Sequence, residues 1–239
     1  MTRFKKILLL LLALASTGAS AETTQENRIK KLIEPRMGVG IKVDSVTKTP
    51  YGGLYEVRTN GDIFYTDENA DYIVVGKVID AHTYKDLTKE RVDQLAAINF
   101  TDLPLDAAVK TVKGNGKRVL AIFEDPNCPY CKKLHQTLQE IDNVTVYTFL
   151  LNILSDDSVV KSRDIWCSAD RSKTWNDWMT TGKAAAPAAP ACPTPNDKVL
   201  ALGKKLRIVG TPTVYFADGS RTGSALDAKA LEQKLASLK

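Results

Sequence analysis

Val39, Ile41 and Val43 occupy every second position near the start of the chain, which is the period of a β-strand. Two further strand-like runs, rich in apolar residues, flank Asn60-Gly61. Asn-Gly is a strong hairpin signal, because a type I′ turn needs positive φ at both central residues. The pattern therefore predicts a four-stranded meander preceded by one short helix. The predicted elements are a helix at 28–33 and strands at 39–43, 54–59, 62–66 and 72–79.

The second part of the chain changes to a pattern of strands alternating with helices. The apolar run at 119–123 predicts a buried strand, and Leu134, Leu138 and Ile141 then follow the spacing of one helical face. A strand–helix–strand unit followed by helices, a hairpin and a closing helix is the order of the thioredoxin fold. The remaining predicted elements are single helices at 89–97, 105–113, 196–206 and 228–238, more than one helix across 156–181, strands at 144–151, 213–216 and 221–223, and an Ala- and Pro-rich surface loop at 182–195.

The tetrapeptide Cys128-Pro129-Tyr130-Cys131 lies between this buried strand and the helix that follows it. The position places Cys128 at a helix N-terminus, where unpaired backbone N–H groups and the helix dipole favour a thiolate. A thiolate with a second thiol one turn away attacks a disulfide, forms a mixed disulfide and is released by its neighbour. We therefore predict a dithiol redox site in which Cys128 is the accessible nucleophile.

The N-terminus has the three parts of a secretory signal peptide. Residues 1–6 are basic, 7–15 are apolar without interruption, and Ala19-Ser20-Ala21 is a small-x-small cleavage site. The apolar run is too short for a membrane anchor, which needs roughly 20 residues. We expect cleavage after Ala21, so that the mature chain enters an oxidising compartment where cysteine pairs persist.

Cleavage would also change the charge of the chain. It removes Arg3, Lys5 and Lys6 and no acidic residue, so the formal net charge falls from +5 to +2. No arginine-rich block is present elsewhere, and nothing in this balance indicates a nucleic-acid partner. The length suits two small domains, divided near residue 82.

The two remaining cysteines, Cys167 and Cys192, are expected to pair with each other. Four cysteines permit three connectivities, and the other two would tie a motif cysteine into a distant loop. A Cys167–Cys192 bond would stabilise the fold by roughly 3–4 kcal/mol in the chain-entropy model. The alternatives are a second redox pair at these positions and, for the motif, a zinc site with Cys128, Cys131 and His135 as ligands. The zinc reading is weak because no second CxxC is present, and His135 is expected to be a surface residue.

The segment 123–135, together with Ile165-Trp166-Cys167 and Val209-Gly210-Thr211-Pro212, resembles the periplasmic disulfide isomerases of bacteria, the DsbC and DsbG family. The resemblance covers essentially the whole mature chain. It implies an α/β thioredoxin-like catalytic domain with a helical insertion, plus a small α+β, cystatin-like N-terminal dimerisation domain. The corresponding ranges are 1–21 for the signal peptide, 22–81 for the N-terminal domain, 82–100 for a linker helix and 101–239 for the catalytic domain.

The resemblance also implies how the protein acts. Cys128 and Cys131 would be catalytic, Pro129 and Tyr130 would tune the redox potential, and Thr211 with a cis Pro212 would hold substrate backbone. An X–Pro bond is cis in only about 5–6% of folded cases, so the sequence alone favours trans. The implied partners are misfolded disulfide-containing secreted proteins, a second copy of the chain in a homodimer, and a DsbD-type membrane reductase. No cofactor and no metal are implied.

Two features of the sequence bear on which branch of this family it resembles more. Pro129 is typical of DsbG, whereas Cys167 and Cys192 match the extra structural disulfide of DsbC, and we favour DsbC. The rival functions are a DsbG-like reductase of sulfenylated single cysteines with chaperone activity, a monomeric oxidase, and a pure chaperone. The buried acid of ordinary thioredoxins is replaced here by Ile122. Glu124 and Asp125 are nearby acids, and the sequence does not choose between them as a proton shuttle.

Overall fold

The computed structural model describes residues 23–59, 61–189, 191–223 and 225–238. The predicted signal peptide and its cleavage site lie outside these residues, as does Asn60 of the predicted hairpin turn. Backbone packing divides the chain after Gly76 into two compact units. Within the described ranges, no helix is both long enough and apolar enough to span a membrane.

The N-terminal unit is a helix packed on an antiparallel sheet, as the pattern predicted. The strand order β1-β2-β3-β4 follows the chain, with each strand antiparallel to its neighbour. The elements are α1 (Thr24–Ile33), a short 3₁₀ turn (Glu34–Arg36), β1 (Ser45–Lys48), β2 (Tyr55–Thr59), β3 (Asp62–Thr66) and β4 (Ile73–Val74).

The first turn of α1 is fixed by a capping box that also reaches the sheet. Thr23 caps the helix, and Glu26 accepts a hydrogen bond from the Thr23 backbone N–H at 2.7 Å. The other carboxylate oxygen of Glu26 accepts from the Lys48 N–H of β1 at 2.9 Å. These backbone hydrogen bonds, the one from Thr23 first, hold the pKa of Glu26 below its usual value. Helix and sheet are thereby joined, and Ile29 and Ile33 of α1 are buried in the core of this unit.

One predicted strand of this unit was wrong, and another was predicted too long. Residues 39–43 form no strand, and the relative exposure of Val39 is 108%. Gly38 and Gly40 have positive φ values of 112° and 83°, and this backbone conformation interrupts an extended run despite its alternating side chains. The strand predicted at 72–79 is shortened to the two residues of β4.

The C-terminal unit contains a five-stranded sheet of order β5-β7-β6-β8-β9. Strands β6 and β7 are parallel and the other neighbours are antiparallel. The strands are β5 (Val109–Lys113), β6 (Arg118–Glu124), β7 (Val144–Leu150), β8 (Thr213–Phe216) and β9 (Arg221–Thr222). The helices are α2 (Leu87–Leu95), α3 (Pro129–Gln139), α4 (Asp156–Trp166), α5 (Arg171–Thr181), α6 (Asn196–Lys205) and α7 (Ala228–Ser237).

Strand β6 is the centre of the core because both of its faces are covered. Leu120 and Ile122 lie in one cluster with the apolar faces of α3 and α7. Ala121 and Phe123 lie in a second cluster with residues of α6, where the Phe123 and Phe149 rings stack at 4.6 Å. The side chains of a strand alternate between faces, so an unbroken apolar run is what such a position requires.

The helix predicted at 105–113 was wrong. Residues Leu105–Ala107 form a single 3₁₀ turn, and Val109–Lys113 form strand β5. Val109, Thr111 and Val112 are β-branched residues, which favour strands, and the segment pairs along its whole length with β7. The pairing with β7, which is distant in sequence, gives this segment its strand conformation. The local residue pattern carries no information about that partner.

The segment after Gly76 packs on the C-terminal unit. Asp86 caps α2, and the Ile98 N–H donates to the Gly219 carbonyl at 3.0 Å. Gly219 has φ +81°, and a Cβ there would lie 1.8 Å from the Ile98 oxygen, so no other residue fits. The predicted ranges for the N-terminal domain, the linker helix and the catalytic domain stay predictions, because packing alone does not define where a linker begins.

Candidate active site

The two motif cysteines lie at the start of α3. Cys128 is the N-cap residue with extended backbone, φ −76° and ψ 119°, and Pro129 occupies the first helical position. Proline suits that position, because its fixed φ matches the helix and its missing N–H would have no partner there. Cys131 is one turn further along, and both thiols are free.

The Cys128 sulfur atom makes two hydrogen bonds. Its Sγ accepts from the Cys131 backbone N–H at 3.4 Å, and its thiol donates to the Thr211 carbonyl at 3.2 Å. The first contact is the helix-end N–H that the sequence predicted to favour a thiolate. Cys128 is only 4% exposed, which is less than we expected, because the Thr211 backbone covers it.

The sheet brings the Thr211-Pro212 turn to the cysteines. Strand β8 runs antiparallel beside β6, and the register pairs Thr213 with Phe123. The residues just before β8 therefore meet the residues just after β6, where the motif begins. The Thr211–Pro212 peptide bond is cis, as the family resemblance implied and against the expectation from sequence alone.

Cys131 is fully buried and has a different environment from Cys128. Burial raises the pKa of its thiol well above the usual range. Cys131 is consequently protonated in the reduced protein. It needs a proton acceptor before it can act as a nucleophile.

Asp125 anchors the loop that carries the motif. Its buried carboxylate accepts hydrogen bonds from the backbone N–H groups of Asn127, Ile153 and Leu154 and from the Ser158 hydroxyl, at 2.7 to 3.0 Å. Four donors satisfy both oxygen atoms, and they join the loop before Cys128 to the segment after β7. These hydrogen bonds indicate that Asp125 has a structural role, which is to hold the loop before Cys128 in place.

Glu124 lies at the end of β6 and is buried against α3 and α5. Its Oε2 lies 3.0 Å from His135 Nε2, and the Trp175 indole N–H donates to the same nitrogen at 3.0 Å. The prediction that His135 is a surface residue was wrong, since it is 6% exposed. His135 is four residues after Cys131, and this helical spacing was the sequence signal that could have found it.

Helix α5 of the insertion also holds the motif loop. The Trp178 indole N–H donates to the Pro126 carbonyl at 2.7 Å. The amino groups of Lys132 and Lys161 lie over the Trp178 ring at 4.8 and 4.9 Å, within the range of cation–π attraction. The insertion is therefore part of the framework that positions the dithiol.

Cys167 and Cys192 form a disulfide with a Cα–Cα distance of 6.4 Å. Cys167 is the C-cap of α4, and Cys192 follows the Ala- and Pro-rich segment. The bond ties that segment to a helix of the insertion. Its separation from the dithiol along the chain and its place after a low-complexity segment fit a structural bond.

We expect the Cys167–Cys192 bond to survive treatment that reduces an oxidised Cys128–Cys131 pair. Structural disulfides have reduction potentials below about −300 mV, whereas thioredoxin-fold dithiols lie between about −270 and −120 mV. Titration of the protein in glutathione redox buffers, followed by alkylation and peptide mass spectrometry, measures both pairs. Opening of the two pairs at the same potential would argue for a second redox pair instead.

Metal binding by the motif is a separate question. Over the ranges that the structure describes, no group of three or more His, Cys, Asp and Glu side chains is placed to hold a metal ion. The imidazole that was the third candidate zinc ligand, His135, contacts Glu124 and Trp175 through its Nε2.

Two family models match the chain, one in its N-terminal part and one in its C-terminal part. Residues 18–89 match the disulfide bond isomerase protein N-terminal domain, and residues 105–239 match the thioredoxin-like domain. The probable thiol:disulfide interchange protein DsbC of Bordetella pertussis is 48% identical over 217 residues, which are 91% of this chain and 76% of that protein. The chain belongs to the DsbC family.

Other members of the DsbC family and one solved structure are also similar. DsbC of Escherichia coli K12 is 28% identical over 194 residues, covering 76% of each chain. The crystal structure of a disulfide interchange protein from Neisseria gonorrhoeae matches with a TM-score of 0.53 and 36% identity. That match covers 56% of this chain and 96% of that one.

These relationships confirm the predicted fold class and the choice of the DsbC branch. The activity is thiol:disulfide interchange, with disulfide isomerisation as the predicted enzyme class. The sequence found the cysteines and the turn at Thr211-Pro212. It missed the hydrogen bonds that surround them, namely those of Asp125, the Glu124–His135–Trp175 cluster and Trp178.

Proposed function

We propose that the protein is a periplasmic disulfide isomerase in which Cys128 attacks non-native disulfides of secreted proteins. The observation that carries this proposal is the contact of the Cys128 sulfur atom with both the α3 N-terminus and the Thr211 carbonyl. The attack forms a mixed disulfide between Cys128 and the substrate. A substrate thiol then attacks elsewhere, which exchanges the substrate's bonds and frees Cys128 with no net oxidation or reduction.

A slower branch uses Cys131. If the substrate does not rearrange, Cys131 attacks Cys128, releases the reduced substrate and leaves a Cys128–Cys131 disulfide. A membrane reductase of the DsbD type then returns the pair to the dithiol. Pro129 and Tyr130 tune the potential of the pair, and Thr211 and Pro212 hold the substrate backbone beside it.

Exposed apolar side chains around the dithiol support an unfolded polypeptide as substrate. Tyr130 lies within the motif, Val209 lies two residues before Thr211, and Ile153 and Leu154 bond through their backbone to Asp125. All four are exposed, and exposed apolar groups next to a reactive site are typical of binding surfaces. Misfolded chains expose apolar segments that would pack against them.

We propose that the N-terminal unit dimerises through strand β4. The hairpin strands β2 and β3 are the interior strands of the described sheet, so their backbone groups are already paired. The edges are β1 and β4. The β4 edge is apolar, with Tyr72, Ile73, Val74 and Val75 all exposed, and an uncovered apolar edge favours pairing with a second copy.

The alternative is a DsbG-like reductase of sulfenylated single cysteines, with Pro129 as the feature that favours it. We expect the protein to recover activity from scrambled ribonuclease at a rate that the Cys128→Ala variant lacks. Reduction of a sulfenylated single-cysteine protein, measured beside it, gives the comparison. Efficient reduction of the sulfenic acid without recovery of ribonuclease would favour the alternative and contradict isomerisation.

A further inference from the structure

A buried polar cluster lies against α3, the helix that begins with the dithiol, and takes no part in the exchange steps described above. It consists of Glu124, His135 and Trp175, all of them buried. Burying polar side chains costs free energy unless they are hydrogen-bonded, and burying an unpaired charge costs more. The hydrogen bonds of this cluster therefore constrain where its protons are.

One nitrogen atom receives both contacts of the cluster. His135 Nε2 lies 3.0 Å from Glu124 Oε2 and 3.0 Å from Trp175 Nε1. An imidazole nitrogen carries either a hydrogen atom or a lone pair, whereas the indole N–H only donates. Trp175 therefore selects the tautomer with a lone pair on Nε2 and a hydrogen on Nδ1. Glu124 Oε2 then bonds to that lone pair only by donating a carboxyl proton.

The second oxygen of Glu124 is free to accept. Glu124 Oε1 is buried and makes no hydrogen bond to any residue in the described parts of the chain. Cys131 and His135 are four residues apart in α3, so they lie on one side of the helix with Cβ atoms about 5–6 Å apart. Glu124 contacts that side, which places its free oxygen in the neighbourhood of the buried Cys131 thiol.

We propose that Glu124 and His135 form a proton relay that deprotonates Cys131 when it resolves a mixed disulfide. The Cys131 proton moves to Glu124 Oε1 while the proton on Oε2 moves to His135 Nε2. The Cys131 sulfur then attacks Cys128, the Cys128–substrate S–S bond breaks, and the Cys128–Cys131 bond forms. The substrate leaves as a thiolate, so its sulfur is reduced as the motif is oxidised, and His135 is left as an imidazolium.

The surroundings of His135 provide an exit for that proton. His135 lines a cavity of about 40 Å³ together with Thr111, Gln139 and Asn176, whose polar groups suit an ordered water. The raised pKa of Cys131 agrees with a thiol that needs such a base.

The other titratable groups around the cluster are already engaged. Asp125 accepts four hydrogen bonds from the loop, as given for the site. Lys113, which also lines the cavity, donates from Nζ to the carbonyls of Leu138 and Gln139 at 2.8 and 2.9 Å. Cys128 bonds to Cys131 and Thr211. Of the two described acids next to the motif, Glu124 is the one with an oxygen that makes no hydrogen bond.

The relay rests on the proposed roles of Cys128 and Cys131, and Glu124→Gln tests it separately. Reduced full-length protein is mixed with oxidised glutathione, quenched with acid at intervals and examined by mass spectrometry. Formation of the Cys128–glutathione adduct tests the proposed nucleophile, and its lifetime tests the relay. We expect Glu124→Gln to form the adduct at the wild-type rate and resolve it roughly 100-fold more slowly, since a positioned base contributes about 10²-fold or more.

The pH dependence separates a relay from a structural effect. In Glu124→Gln, solvent hydroxide must take the proton, so the resolving rate should rise about tenfold per pH unit between pH 6 and 8. The wild type and an exposed control at the far, C-terminal end of α3, Glu140→Gln, should vary much less. An unchanged lifetime, or a longer one with the wild-type pH profile, would overturn the relay.

A second measurement needs no change in the cluster. The chain has two histidines, so the His82→Asn variant leaves His135 as the one imidazole in its nitrogen NMR spectrum. The relay requires a neutral ring with hydrogen on Nδ1 in the reduced protein. A ring with hydrogen on Nε2 would contradict it.

Discussion

Replacing Cys131 with alanine is expected to trap the protein in covalent complexes with its substrates. Cys128 would still attack a substrate disulfide from the N-terminus of α3, but the Cys131 thiol would be absent and could not release substrates that fail to rearrange. Mixed disulfides then accumulate, by about 100-fold if the resolving step accounts for most of the release. Non-reducing electrophoresis of periplasmic extracts, followed by mass spectrometry of the complexes, measures this.

Cys128→Ala is the matched control, and it should trap nothing. Its remaining motif thiol is buried and its pKa is raised by that burial, so little thiolate forms. Alkylation of the reduced wild-type protein at mildly acidic pH gives an independent check, with the label expected on Cys128. Label found mainly on Cys131, or complexes that form with Cys128→Ala, would show that the two roles are reversed.

Introducing a lysine at Val74 of β4 is expected to give a monomer that has lost most of its isomerase activity. A charge on an edge strand opposes pairing, and Val74 is 44% exposed in the N-terminal unit, so its replacement leaves that unit's core intact. Two dithiols acting on one substrate raise the effective concentration of each, and loss of that effect should lower recovery of scrambled ribonuclease by about tenfold or more. Sedimentation measures the oligomeric state.

The corresponding change on the opposite edge is the control. Thr47→Lys places the same charge on the exposed side of β1 and should leave a dimer with wild-type activity. Both variants should react with small disulfides at the wild-type rate, because the dithiol belongs to the C-terminal unit. A monomeric Val74→Lys that still reshuffles ribonuclease fully would refute the need for a dimer. Dissociation by Thr47→Lys alone would move the interface to β1.

The elements that local pattern predicted well are those whose partners are close in sequence. The hairpin strands β2 and β3 follow the predicted bounds to within one residue, because a short turn fixes their register. Helix α3 and strand β6 likewise follow from their apolar spacing. Residues 39–43 and 105–113 were wrong, because positive φ at glycines and pairing with a distant strand decided them.

The sequence by itself determined the chemistry of this protein. A Cys-Pro-Tyr-Cys segment after a buried strand and before an amphipathic helix places one thiol at a helix end and the other one turn inside, and this follows from helix geometry alone. Reasoning from the sequence also predicted the disulfide between Cys167 and Cys192. These conclusions required no knowledge of which distant residues meet.

Only the tertiary structure decided what surrounds the two sulfur atoms. The antiparallel pairing of β8 with β6 sets Thr211 over Cys128, and the packing of α5 on α3 sets Trp175 against His135. Glu124 and Asp125 are adjacent acids that the sequence left equivalent. Three donors from residues 153–158 and the nearby Asn127 N–H satisfy Asp125, while Glu124 keeps one buried oxygen without a hydrogen bond to any described residue. Hydrogen bonding across long sequence separations distinguishes them, because a buried carboxyl group takes its properties from the partners that the fold brings to it.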